Sequence, residues 1–66
     1  MTNAEDATLQ TIREGVQVQF GGLPPAAGIE QVKAQVLAKE AALGGAYDVR
    51  VAAMRRFLIE DCGVEF

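Results

Sequence analysis

The segment on which the fold prediction depends is Val16-Gln17-Val18-Gln19-Phe20. Apolar and amide side chains alternate strictly through it, and its apolar residues favour strands. The alternation predicts a β-strand over residues 16–20, with Val16, Val18 and Phe20 on one face and the two glutamines on the other. A single strand leaves its backbone hydrogen-bonding groups unpaired, so this strand would need a partner, either within the chain or in a second copy.

The residues before this segment have a helical pattern. Apolar side chains from Leu9 onward recur at spacings of three and four, and Asn3 or Thr2 can cap the first turn. Gly15 suits the left-handed residue that often follows a helix. The sequence therefore predicts a helix over about residues 4–14.

The residues after the segment predict two more helices and a short tail. Glycine and proline indicate a linker over 21–28. Helical periodicity covers about 29–43 and again about 47–62, and the alternating tail 64–66 predicts a short strand. We expect residues 1–66 to form a single small domain. It should be mainly α with one or two short β-strands, ordered as an N-terminal helix, a strand and an αα-hairpin.

The composition indicates a thin hydrophobic core. The chain has 66 residues, half of them hydrophobic, but eleven of these are alanine. A domain this small buries only about 60% of its unfolded surface and usually depends on disulfides, a metal or association with another chain. Cys62 is the only cysteine and there is no histidine, so an internal disulfide and a zinc site are excluded. Association with another chain is the remaining way for this domain to gain stability.

The same residues argue against catalysis. Histidine, the commonest general base, is missing. The single thiol of Cys62 lies among Glu60, Asp61 and Glu65 at the negative end of a predicted helix, where its thiolate is disfavoured. We therefore expect a protein that is not an enzyme, with no catalytic residue, no cofactor and no metal.

The net charge and the hydropathy pattern of the chain indicate which partners and which cellular compartment to expect. The net charge of −3 works against binding to phosphate backbones or anionic lipid. The N-terminus is acidic rather than basic, and no apolar run is long enough to cross a bilayer. We expect no membrane association, and the negative charge disfavours a nucleic-acid partner. The expected location is the cytoplasm, or a particle made there.

The leading functional hypothesis is a small accessory, adaptor or virion-assembly subunit that works as an oligomer or bound to a larger protein. The candidate contact residues are the apolar face of the predicted strand and three residues outside the main stripe of the last helix. They are Val16, Val18, Phe20, Val49, Phe57 and Ile59.

The alternative hypothesis starts from Tyr47-Asp48-Val49-Arg50-Val51-Ala52-Ala53-Met54-Arg55-Arg56-Phe57-Leu58. With the strand and helix before it, this segment resembles the ribbon-helix-helix family of DNA-binding regulators and antitoxins over about residues 16–60. The resemblance implies a dimer whose paired strands enter the major groove, with Gln17 and Gln19 facing the bases. The longer 21–28 connection and the acidic charge depart from that family.

Overall fold

The computed structural model describes residues 3–66 and contains three α-helices in that range. They are α1 (Ala4–Phe20), α2 (Ala26–Leu43) and α3 (Val49–Glu60). No β-strand occurs in residues 3–66, so the predicted mixture of helices and one or two strands is wrong.

The predicted strand 16–20 is the last part of α1. Gly15 does not have a positive φ, and a Cβ atom placed on it would have no neighbouring atom within 4 Å. Gly15 therefore does not end the helix as predicted, and α1 continues through it. The left-handed C-cap is Gly21 instead, at φ 67°, and its N–H donates to the carbonyl of Gln17 over 2.8 Å. A helix pairs its own backbone groups, so residues 16–20 need no partner strand.

The start of α1 and the start of α2 each have an identifiable cause. The side chain of Asn3 accepts a hydrogen bond from the Asp6 N–H at 2.8 Å and caps α1. The other predicted cap, Thr2, lies outside the described residues. Helix α2 begins at Ala26, inside the predicted 21–28 linker, because the Pro25 carbonyl accepts the first helical hydrogen bond, from Ile29.

The C-terminal residues also differ from the prediction. Asp48 caps α3 through Oδ1, which accepts hydrogen bonds from the N–H groups of Arg50 and Val51. Residues 64–66 form no strand, which corrects the second predicted strand. The Val64 N–H donates to the Leu58 carbonyl, and its side chain packs against the core. The tail therefore folds back on its own helix.

Helix α3 lies between the other two helices and contacts both, whereas α1 and α2 do not pack against each other. Asp6 pairs with Arg56 and Arg13 pairs with Asp61, so α1 and α3 run in the same direction. Helix α2 runs opposite to α3. The buried core is contributed by all three helices and consists of Leu9, Val36, Ala53, Phe57 and Leu58.

Ion pairs flank the two helix–helix contacts. Arg56 donates to Asp6 at 2.6 Å, which joins α3 to α1, and to Glu60 of its own helix at 2.8 Å. Arg13 binds both carboxylate oxygens of Asp61 at 2.8 Å in the bidentate geometry that favours arginine. Arg55 reaches Glu40 of α2 at 2.7 Å. The hydrogen bond from Arg56, with further attraction to Arg56 and Arg13, lowers the pKa of Glu60.

The lowered pKa of Glu60 makes part of the stability depend on pH. A carboxylate whose folded pKa is depressed contributes stability that is present above its unfolded value and is lost as pH falls through the folded pKa. The ordinary value is 4.5, so we expect the melting temperature to fall on acidification below that pH. Glu60→Gln should show a smaller fall over the same window. Thermal denaturation followed by circular dichroism between neutral pH and pH 2 measures this, and equal slopes for the two proteins would contradict it.

Candidate functional site

The end of α1 and the three residues that follow it carry three exposed large apolar side chains. Val18 is 87% exposed, Phe20 46% and Leu23 55%. We call residues 14–23, which contain these three side chains, the α1 tip. Its only charged residue is Glu14, which is exposed and forms no ion pair with any described residue.

The α1 tip is exposed because α1 is longer than the helix it packs on. Arg13 pairs with Asp61, just past the end of α3, and seven helical residues of α1 follow Arg13. At about 1.5 Å per residue they extend about 10 Å beyond that pair. Phe20 lies four residues after Val16, which packs on the core, so both share one face of α1. The apolar stripe of α1 therefore continues past the point where α3 can cover it.

The structure separates the six predicted contact residues. Val18, Phe20 and Ile59 are exposed, and Ile59 lies on α3 away from the tip. Val16 and Val49 are half-buried. Phe57 is 3% exposed and belongs to the core of its own chain, so a partner cannot reach it in this conformation. Of the predicted set, the structure places only Val16 and Phe20 on one face, because Val18 lies nearly on the opposite side of α1.

A second surface is the groove between α2 and α3, of about 660 Å³. Its apolar lining comes from both helices: Val32, Val36, Leu43, Val51 and Met54. Methionine is flexible and polarisable, so Met54 can adapt to different occupants. We call this surface the α2–α3 groove.

The α2–α3 groove is basic on an acidic protein. Lys39 and Arg50 line it, and neither forms an ion pair with a described residue, whereas the other three arginines do. Asp48 also lines the groove, but its Oδ1 accepts the two hydrogen bonds that cap α3. Two unpaired cations beside an apolar lining suit an occupant that is both apolar and acidic.

The groups considered for chemistry are occupied in structural contacts. Burial, followed by the charge of Asp61, raises the pKa of the half-buried Cys62 thiol, which works against a thiolate nucleophile. The carboxylates of Glu60 and Asp61 bind Arg56 and Arg13. The Tyr47 hydroxyl donates to Glu5 at 2.7 Å, and that hydrogen bond raises the pKa of Tyr47. The two carboxylates and the Tyr47 hydroxyl are therefore engaged in contacts within the fold.

The structure does not provide the ribbon that the DNA-binding alternative requires. Gln17 and Gln19 are exposed, but they lie on α1, and residues 3–66 contain no strand that could pair with a second copy. On a helix, residues two apart diverge by about 200° and do not share a face. The two glutamines therefore cannot read a base sequence as neighbours in a ribbon.

The sequence predicted Val18 and Phe20 as contact residues, whereas Leu23 and the α2–α3 groove were not predicted. Lys39 and Arg50 lie on different helices, eleven residues apart, so no local pattern in the sequence places them on one surface.

No protein-family model, curated protein or solved structure matches the chain. Within residues 3–66, no helix is both long enough and apolar enough to cross a membrane.

Proposed function

We propose that the protein is a small non-catalytic interaction subunit that binds another protein chain through the α1 tip, in the cytoplasm or in a particle assembled there. The observation that carries the proposal is the extension of α1 past α3 with Phe20 and Leu23 about half exposed at its end. Val18 adds a third exposed apolar side chain on the other side of the helix.

The energetics of a small domain support this assignment. Burying apolar surface contributes about 25 cal/mol per Å², and five residues form the buried core of this chain. Seven large hydrophobic side chains remain substantially exposed. A partner that covers the α1 tip would add apolar burial to a chain whose own core is small. Aromatic side chains such as Phe20 are frequent anchors in protein interfaces.

The test compares a tip variant with a matched surface variant. Phe20→Ser combined with Leu23→Ser removes apolar surface from the tip, and Leu37→Ser removes a similarly exposed side chain from α2. The chain carries a fluorophore at its N-terminus and is followed by sedimentation in buffer and in a native lysate of its source cells. We expect the unmodified chain to sediment as a species larger than the monomer in at least one of these conditions. The tip variant should sediment as the monomer in both.

Folding is checked by the helical circular dichroism signal, which should be unchanged in both variants. Leu37→Ser should sediment like the unmodified chain. A monomeric unmodified chain in both buffer and lysate would refute the proposal. So would an equal loss of association in the tip variant and in Leu37→Ser.

A further inference from the structure

We propose that the partner is a second copy of this chain, and that each copy inserts its α1 tip into the α2–α3 groove of the other. This inference rests on the proposed function, because it names the occupant and the receiving surface for the same tip. The two surfaces are complementary in both polarity and charge.

The polarity match is between apolar side chains that project and an apolar groove that receives them. Phe20 and Leu23 project from the end of the molecule. The α2–α3 groove, about 660 Å³ in volume, is lined by aliphatic side chains and Met54. A groove of this size lies within the range that holds compact apolar groups.

The charge match is between an acidic tip and a basic groove. No lysine or arginine occurs between Arg13 and Lys33, so Glu14 sets the sign of the tip. Lys39 and Arg50, against the single carboxylate of Asp48, leave the groove with a net positive charge. Complementary charges at an interface select the partner and the register, and like charges there are strongly unfavourable. The charges thus favour tip-to-groove contact over tip-to-tip or groove-to-groove contact.

The positions of the two surfaces permit a closed dimer. The tip extends beyond the C-terminal end of α3, whereas the residues of α3 that line the groove, Arg50, Val51 and Met54, lie in its N-terminal half. Tip and groove therefore lie toward opposite ends of α3. Two chains side by side and antiparallel bring each tip to the other's groove, which is the reciprocal contact of a two-fold dimer.

The experiment uses reversal of charge at each surface of the full chain. Lys39→Glu with Arg50→Glu makes the groove acidic, and Glu14→Lys makes the tip basic. Sedimentation equilibrium at low salt measures dimerisation of each. We expect the unmodified chain to dimerise, and each variant alone to dimerise about tenfold or more weakly, since like charges then meet at the contact. The melting temperature of the unmodified chain should also rise with concentration, and less steeply at high salt.

Mixing the two variants gives the sharpest result. In the mixture, the basic tip of one chain meets the acidic groove of the other, and the acidic tip meets the basic groove. We expect a heterodimer with an affinity close to that of the unmodified dimer. Glu65→Lys and Lys33→Glu carry the same kinds of charge change outside both surfaces, and neither should alter dimerisation.

Each contrary outcome has a separate meaning. If the unmodified chain stays monomeric at millimolar concentration in low salt, the second-copy proposal is wrong. If it nevertheless forms a tip-dependent complex in lysate, the proposed function stands. If Phe20→Ser with Leu23→Ser abolishes self-association but reversal of the groove charges does not, the groove assignment is wrong. Failure of the mixed variants to associate, with both folded by circular dichroism, also overturns it.

Discussion

Replacing Phe57 with alanine is expected to lower the free energy of unfolding by about 3 to 5 kcal/mol, the usual cost of truncating a buried aromatic residue. Phe57 is 3% exposed, and the core it belongs to contains only four other buried residues. Small domains have little stability to lose, so this cost is comparable with the total. We therefore expect the variant to be largely unfolded at room temperature.

Urea denaturation followed by circular dichroism measures the change. The matched control is Ile59→Ala, two residues further along α3, where the side chain is 45% exposed. Its loss should cost much less, because most of the removed surface is already in contact with water. If Ile59→Ala were as destabilising as Phe57→Ala, the assignment of Phe57 to the core would be wrong.

Helical periodicity could not place Phe57 because α3 packs on two sides. The face that carries Val51, Met54 and Leu58 is the stripe visible in the sequence, and Val51 and Met54 line the groove beside α2. Phe57 lies about 100° from Leu58 and shares a face with Ala53, four residues earlier, on the side of α3 that Arg56 joins to α1. A helix enclosed by two neighbours buries a broad arc, and a single stripe accounts for only part of it.

The wrong strand at 16–20 has a different physical cause. Five alternating residues satisfy a strand pattern locally, and nothing within them shows whether a partner strand exists. The helical alternative depends on neighbours: Leu9, Ile12 and Val16 begin an apolar face, and Gly21 supplies the left-handed cap. Gly15, within α1, costs about 1 kcal/mol relative to alanine but does not end the helix. The longer pattern from Leu9 to Phe20 was the more informative one.

The two surfaces were predictable to different degrees. Val18 and Phe20 were identified as contact residues from an incorrect strand, and the structure leaves both exposed for other reasons. Phe20 lies where α1 extends past α3, and Val18 lies on the side of α1 away from the core-packed Val16. The basic groove required tertiary information. Lys39 and Arg50 are eleven residues apart, and they line one groove only because α2 and α3 run antiparallel.

The second large loss of stability is expected when Ala53 is replaced by a larger residue, because its side chain is 0% exposed in the core. Ala53 lies three residues before Arg56 and seven before Glu60, so it shares the face of α3 whose arginine pairs with α1. A small side chain at such a crossing allows two helices to approach closely, since the distance between helix axes depends on the residues at the contact. Ala53→Leu should push α1 away from α3 and cost about 1 to 3 kcal/mol through overpacking.

Ala52→Leu is the matched control for Ala53→Leu. Ala52 is half-buried and lines an open cavity beside Tyr47, where a larger side chain has room. Leucine and alanine both favour helices, so any difference between the two variants comes from packing rather than helix propensity. We expect Ala52→Leu to have nearly the stability of the unmodified chain in urea denaturation and Ala53→Leu to unfold at clearly lower urea. Equal midpoints would show that α1 and α3 are not close-packed at Ala53. In that case α1 would be able to shift relative to α3. Packing would then not fix how far the α1 tip extends past Asp61, and the proposed contact depends on that extension.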